Sequence, residues 1–145
     1  MILVVDIDGT LSDAQHRADT TNTLHWVAYN SASVRDTPRP SVISLVNACY
    51  LHNKDQVILL TSRGAAVEQE TRRWMETHGV YFDRLIMRNM NDHRPSVDYK
   101  REWFRRLKPD LIIEDCPQIW AMARHEGFNA MLINSTDPFV TGVKS

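Results

Sequence analysis

Six residues carry side chains suited to chemistry and stand where a fold can bring them together. Asp6 and Asp8 follow the apolar run Ile2-Leu3-Val4-Val5, Thr61 follows Val57-Ile58-Leu59-Leu60, and Glu114 and Asp115 follow Leu111-Ile112-Ile113, with Lys100 between them in the chain. Carboxylates gathered in one place repel one another: two unit charges about 4 Å apart interact by roughly 4 kcal/mol at an effective dielectric near 20. Clustering Asp6, Asp8 and Asp115 therefore calls for a cation. Oxygen donors alone, few in number and leaving room for water and an anion, suit a hard divalent ion such as Mg2+, whereas zinc would draw on His or Cys. A single aspartate at the end of a strand is commonly a turn former, but here three separate runs deliver acids and a hydroxyl.

The elements that must position these groups are legible as well. Five short aliphatic runs read as buried strands: Ile2 to Ile7, Val57 to Thr61, Leu85 to Arg88, Leu111 to Glu114 and Ala130 to Ile133. Between them lie helical patterns. Ser41 to His52 places Val42, Leu45, Val46 and Cys49 on one stripe, and Ala65 to His78 does so with Val67, Thr71, Trp74 and Met75 before a stop at Gly79. Tyr99, Trp103 and Leu107 mark a third helix ended by Pro109, and Ile119, Met122 and Ala123 a fourth before Gly127. Such alternation predicts an α/β fold: a three-layer, Rossmann-like parallel sheet of about five strands flanked by helices. In open parallel sheets ligands bind beyond the carboxyl ends of the strands, which is where Asp6, Asp8, Thr61, Glu114 and Asp115 fall.

The 145 residues read as one domain. Residues 11–40 form a polar excursion near the active edge, with Trp26 and Tyr29 embedded and Pro38 and Pro40 closing it, and residues 135–145 read as a loosely packed tail. The intervals between Asp8, Thr61 and Lys100 are largely consumed by core elements, leaving no room for a large cap domain. A net charge of -1, with 43% hydrophobic and 24% charged residues, argues against disorder and against a chain built to coat nucleic acid or membrane. No run approaches the roughly 20 apolar residues of a membrane helix, and Met1 leads directly into the first strand, so a cytoplasmic protein with no membrane partner is expected. Cys49 and Cys116 lack metal or disulfide spacing and read as buried thiols, and the six histidines show no ligand spacing. A P-loop is absent, which excludes that class of kinase. Nothing in the pattern sets an oligomeric state.

Asp6-Ile7-Asp8-Gly9-Thr10, Leu59-Leu60-Thr61, Lys100 and Ile112-Ile113-Glu114-Asp115 together resemble the four-motif pattern of the haloacid dehalogenase superfamily of phosphatases. That resemblance implies covalent phosphoryl transfer, in which Asp6 attacks phosphorus to form an aspartyl phosphate and Asp8 protonates the leaving oxygen and then activates water. Thr61 would hydrogen-bond the phosphoryl oxygens, and Lys100 would offset their charge while holding Asp6. The implied cofactor is Mg2+, on Asp6, the backbone carbonyl of Asp8, and Asp115. Glu114 stands in support, either reaching the metal through water or orienting Lys100.

A closer resemblance involves Arg17, Trp26, Pro38, Pro40, Thr61-Ser62-Arg63, Thr71-Arg72-Arg73-Trp74, Met87-Arg88 and Asp92-His93-Arg94-Pro95, which are similar to the 3'-phosphatase part of phage-type polynucleotide kinase/phosphatases. It implies nucleic acid 3' ends as substrate, with Arg17 and Arg63, beside Ser62 and Gly9, engaging phosphate or strand. An uncapped site suits such a substrate, which brings its own bulk. Ser96 departs from that pattern: related phosphatases usually have there an Asp supporting the lysine, and Asp92 and Asp98 are the nearest acids to replace it. Arg88, Arg94, Arg101, Arg105 and Arg106 form either a phosphate-tracking face or a solvated one. Trp26 and Tyr29 either stack a terminal base or anchor the loop, while Trp74, Trp103 and Trp120 are expected in the core. Two other functions share much of the motif set: a (deoxy)nucleotidase, and a phospho-accepting signalling domain, in which Asp8 would have no task.

Overall fold

The computed structural model describes residues 1–17, 30–137 and 140. Five parallel strands form the main sheet, β1 (Ile2–Val5), β4 (Gln56–Gly64), β5 (Arg84–Arg88), β6 (Leu111–Glu114) and β7 (Ala130–Leu132), in the order β5-β4-β1-β6-β7. A two-stranded antiparallel ribbon, β2 (Ser12–Asp13) with β3 (Thr37–Pro38), stands beside it. Central β1 pairs Val5 with Leu59 on one side and with Ile113 on the other, so three apolar runs end level with one another.

Side-chain alternation then divides the core in two. Leu3, Val5, Val57 and Leu59 face α1 (Pro40–Leu51) and α2 (Glu68–Thr77); Val4, Ile58, Leu60 and Ile112 face α3 (Ser96–Leu107) and α4 (Pro117–His125). Because both faces are covered, the strands are continuously apolar instead of alternating. Proline sits in the first turn of α1 and α4, where its missing N–H costs nothing. A 3-10 turn, Ala65–Val67, precedes α2 within the span expected to be wholly α-helical.

Several boundaries differ from the expected ones for identifiable reasons. β1 stops at Val5 because the carbonyl of Ile7 accepts the amides of Thr10, Leu11 and Ser12 at 3.0, 2.9 and 3.2 Å, turning the chain out of the sheet. β4 continues past Thr61 to Gly64 through a register irregularity. On α1 the buried stripe is Val42, Ile43, Val46 and Cys49; Leu45, expected inside, is exposed, since the stripe is turned toward Ile43, which lies nearly opposite Leu45 around the helix. Trp74 is buried, but Trp103 and Trp120 are only half-buried, their rings covered by the guanidinium groups of Arg84, Arg106 and Arg124. Cys49 is buried and Cys116 half-buried. Trp26 and Tyr29 lie outside the described residues. Among those described, no helix is long and apolar enough to cross a membrane.

Lys108, just past α3, closes the helix in the left-handed region at φ 49° and ψ 58°, where a Cβ is unfavourable. Lys108→Gly should therefore raise unfolding stability by about 0.5 to 1 kcal/mol, read as a shifted urea midpoint at constant slope.

Candidate active site

Beyond the carboxyl ends of β1, β4 and β6 lies a cavity of about 240 Å3 lined by Asp6, Asp8, Ser62, Arg63, Lys100, Glu114 and Asp115, together with Ser96, Cys116 and Asp137. The sheet register explains the convergence: the Asp6 amide still donates to the Ile113 carbonyl at 3.0 Å, so the residues after β1 and β6 remain side by side. Lys100 reaches the same place from α3, on the face covered by that helix. Its Nζ donates to Asp6 Oδ1 at 2.7 Å and to Glu114 Oε2 at 2.8 Å, with the lysine almost wholly buried. The other oxygen of Asp6, Oδ2, accepts from Thr10 Oγ1 at 2.8 Å. Glu114 Oε1 in turn accepts the amides of Asp115 and Cys116 at 3.0 and 3.2 Å. The support for Lys100 is thus Glu114. Asp92 pairs with Arg94 and Asp98 with Arg101, so neither substitutes for the acid absent at Ser96.

Asp6, Glu114 and Asp115 are all buried, and one oxygen from each lies within 4.8 Å of the others. Burial, then the charge of Glu114, pushes Asp6 up to about 6 despite Lys100. Burial, then Asp6 and Glu114, pushes Asp115 up to about 11. Burial alone would lower Lys100, but Asp6 and Glu114 outweigh it and hold the ammonium well above the usual lysine range. An all-oxygen, crowded and anionic donor set fits a hard divalent cation. The turn is built for close approach: Gly9 has φ +80°, and a Cβ there would stand 2.1 Å from Asp115 Oδ2. Only glycine meets both conditions.

Asp8 belongs to a second cluster. Arg63 Nε reaches its Oδ1 and Oδ2 at 3.0 and 3.1 Å, Arg63 Nη2 reaches Oδ1 at 2.8 Å, and Arg17 Nη2 also donates to Oδ1. Burial pushes Asp8 up, but Arg63 and Arg17 outweigh it and hold the carboxyl well below its usual range. Behind them lies Asp36, fully buried as a side chain, which accepts from Arg17 Nε at 3.0 Å, Arg17 Nη2 at 2.6 Å and Arg63 Nη2 at 3.3 Å and pairs with His16 at 2.6 Å. Arg63 Nη1 donates to Thr71 Oγ1 at 3.1 Å. Arg17 and Arg63, expected to offer themselves to phosphate, are thus buried and bonded to Asp8 and Asp36.

Thr61 is buried and is not among the residues lining the cavity; its Oγ1 accepts the Arg63 amide at 3.0 Å, and the Ser62 hydroxyl is buried without a hydrogen-bond partner among the described residues. The arginine face is charge-balanced: Arg94 pairs with Asp92 and Glu102, Arg101 with Asp98 and Glu126, Arg105 with Glu126, and Arg106 with Glu102. Arg88 lies over the Tyr99 ring and donates to Ser96 Oγ at 3.1 Å. Sequence reasoning gave no task to Asp36, Arg39, Ser135 or Asp137. Ser135 donates to Asp115 Oδ2, and Arg39 links the carbonyls of Gly9 and Asn134. None lies on a periodic apolar pattern that would have flagged it.

A family model described as the polynucleotide kinase PNKP phosphatase domain matches residues 1–137. The chain belongs to that family, and is a phosphatase of the haloacid dehalogenase superfamily. No curated protein matches it. Among solved structures, two chains from the Pnkp1/Rnl/Hen1 complex, one described as an RNA repair complex, superpose with a TM-score of 0.76 each. They are 24% and 23% identical and cover 94% and 92% of this chain, which spans only 46% and 42% of theirs. A haloacid dehalogenase-like hydrolase from Streptococcus pneumoniae is 16% identical at a TM-score of 0.66, covering 94% of this chain and 86% of its own. A family enzyme from Bacteroides thetaiotaomicron, solved with magnesium and inorganic phosphate, is 11% identical at 0.54, covering 92% and 93%. These likenesses establish the common fold, and in this PNKP-type phosphatase Asp6, Glu114 and Asp115 stand at the carboxyl ends of its strands, with Lys100 reaching them from α3.

Removing Lys100 strands two buried carboxylates, so Lys100→Met should cost about 3 to 5 kcal/mol in denaturation measured with chelator. Asp115 has the opposite sign. Because it titrates higher folded than unfolded, its contribution is intact below about pH 4 and is lost as pH rises toward about 11. Metal-free protein should thus be less stable at pH 8 than at pH 5, Mg2+ should raise Tm more at pH 8, and Asp115→Asn should raise the metal-free Tm while abolishing the Mg2+ response.

Proposed function

We propose that this chain is a Mg2+-dependent phosphatase that removes 3'-phosphate from polynucleotide ends through an aspartyl phosphate on Asp6. The observation that carries the reading is the setting of Asp6: Lys100 and Thr10 fix its two oxygens inside one cavity with Asp8, the acid/base candidate. Fixed donors at a carboxylate limit its rotation and orient a lone pair, which is what an oxygen nucleophile needs. Asp6, Asp115 and the Asp8 carbonyl would hold the metal. Mg2+, when bound, offsets the negative charge of the carboxylates and of the phosphoryl oxygens.

In the first step an Asp6 oxygen forms a bond to phosphorus while the ester oxygen departs with a proton supplied by Asp8. In the second, Asp8 takes a proton from water, whose oxygen attacks phosphorus and returns Asp6 to its carboxylate. Asp8 rests as a carboxylate between Arg63 and Arg17, the form suited to that second step. It takes the proton for the first step from solvent as a phosphate dianion competes for the same guanidinium groups. Lys100 keeps Asp6 ionised and in place, and the Thr61 and Ser62 hydroxyls serve the phosphoryl oxygens, with Ser62 Oγ carrying unspent hydrogen-bonding capacity. Gly9 lets its turn approach Asp115 closely. Phosphate binding by Arg63 and Arg17 draws on the guanidinium groups that now hold Asp8.

The polynucleotide end is supported by the family itself, and the described residues include no large cap, an arrangement that leaves selection to a leaving group with bulk of its own. The test is a panel of 3'-phosphorylated DNA and RNA oligonucleotides, 3'- and 5'-mononucleotides and a 5'-phosphorylated oligonucleotide, each with Mg2+. Release from the 3'-phosphorylated oligonucleotides at a kcat/KM at least about tenfold above every other substrate is expected, a difference of about 1.4 kcal/mol in transition-state binding. Preference for mononucleotides would establish a nucleotidase instead. Asp6→Asn and Asp8→Asn should each lower turnover by more than about a thousandfold with an unchanged circular dichroism spectrum, and near-normal turnover by Asp6→Asn would discard the nucleophile.

A further inference from the structure

The chain leaving β7 returns to the site. Ile133 still pairs its amide with the Glu114 carbonyl at 3.0 Å, and the next residues cross the mouth of the acidic cluster. There the Ser135 hydroxyl donates to Asp115 Oδ2, and the Asp137 amide donates to Ser135 Oγ at 3.0 Å. A serine hydroxyl has one proton and accepts through its lone pairs, so the Asp137 amide sets the rotor and directs the single proton at Asp115. The segment is tied down from its other side. Arg39 Nη1 donates to the carbonyls of Gly9 and Asn134, the latter at 2.6 Å, and the Arg39 amide is itself held by the Leu11 carbonyl at 2.8 Å. At Gly9, a Cβ would stand 2.9 Å from both the Cβ and the amide nitrogen of Asp137, so turn and segment are in direct contact.

We propose that Ser135 is a positioning residue for the metal site, fixing the plane of the Asp115 carboxylate, and that Arg39 staples the Asn134–Asp137 strap carrying it to the Gly9 turn. This rests on the reading of Asp115 as a metal ligand, but not on the identity of the substrate. Asp115 has no arginine or lysine hydrogen-bond partner among the described residues and its close neighbours Asp6 and Glu114 are themselves acids, so without Ser135 no neutral donor orients its ionised carboxylate and more of the cost of ordering it falls on metal binding. Partners of this kind are commonly worth 10- to 100-fold in metal affinity.

The experiment is calorimetric titration of the whole chain with Mg2+, comparing the parent with Ser135→Ala, Ser135→Thr and Arg39→Ala. Ser135→Ala should weaken binding by about 10- to 100-fold, while Ser135→Thr, which keeps the hydroxyl, should stay within about threefold of the parent. Arg39→Ala should weaken binding in the same direction without touching a carboxylate, and it serves if Ser135→Ala does not fold. In turnover of a 3'-phosphorylated oligonucleotide, the Mg2+ concentration for half-maximal rate should rise by the factor seen in calorimetry, with kcat at saturating Mg2+ within about twofold. Mg2+ affinity within twofold of the parent for both Ser135→Ala and Arg39→Ala would overturn the proposal, as would a parent that binds no Mg2+. Weakened metal binding in Ser135→Ala, together with no phosphate release by the parent from any oligonucleotide, would uphold Ser135 and remove the substrate reading alone.

Discussion

Repulsion between carboxylates held together out of water is the constraint around which this site is arranged. Asp6, Glu114 and Asp115 are buried within reach of one another, and the only cation hydrogen-bonded to any of them among the described residues is Lys100. Once all three are ionised, as cation binding requires, three negative groups against one ammonium leave two charges unmatched, the complement of a divalent cation. Next to them, Asp8 and Asp36 face Arg17 and Arg63, a set that balances within the protein. The site is therefore partitioned into a charge-neutral half and a half short of two positive charges, with the boundary running between Asp6 and Asp8.

That partition is a consequence of strand geometry. Alternating residues at a strand end point to opposite sides, so Asp6 and Asp8, two apart, would share a side if β1 continued. It does not: the turn closed on the Ile7 carbonyl carries Asp8 away toward the β2–β3 ribbon, where Arg17 and Asp36 lie, and leaves Asp6 beside β6 and Lys100. Burying an ammonium and several carboxylates in this way is a poor route to stability, because desolvation consumes much of what the ion pairs return. What it yields is fixed geometry, with each of these charged groups, and Gly9 at φ +80°, committed to one arrangement.

The fold was legible because each buried strand is an unbroken aliphatic run ending abruptly in a polar residue, a contrast that survives without any tertiary information. The rule that ligands bind beyond the carboxyl ends of parallel strands made the convergence of Asp6 and Asp115 predictable, and the register of β1 between β4 and β6 is what brings those strand ends level. Less was visible wherever a side chain's partner is remote and irregularly spaced. Asp36 sits in a polar stretch with no period, and its partners Arg17 and Arg63 lie 19 and 27 residues away. Arg39 spans 95 residues to reach Asn134, and Ser135 sits among residues whose composition suggested only a tail. Glu114 was open to two tasks, and contact with Lys100 is decided by distance, which the sequence does not encode locally. The paired arginines of α3 are a contrasting case: Asp98 with Arg101 and Glu102 with Arg106 stand at i,i+3 and i,i+4, spacings that point to local neutralisation over a phosphate-tracking face.

The burial of Arg17 and Arg63 changes what an incoming anion meets. Both were expected to present open guanidinium groups, yet Arg63 spends Nε and Nη2 on Asp8, shares Nη2 with Asp36 and gives Nη1 to Thr71. Arg17 bonds Asp8 and Asp36 together. Under the proposed reaction, a phosphate reaching Arg63 from the cavity takes a donor from Asp8, while Asp36 and Thr71 hold the guanidinium in place. Losing that donor raises the affinity of Asp8 for a proton at the moment a phosphate oxygen arrives beside it. Under the proposed reaction, binding the phosphoryl group and preparing the acid that releases its ester oxygen are one event, and Asp36 is the group that keeps the arginines from following the phosphate outward.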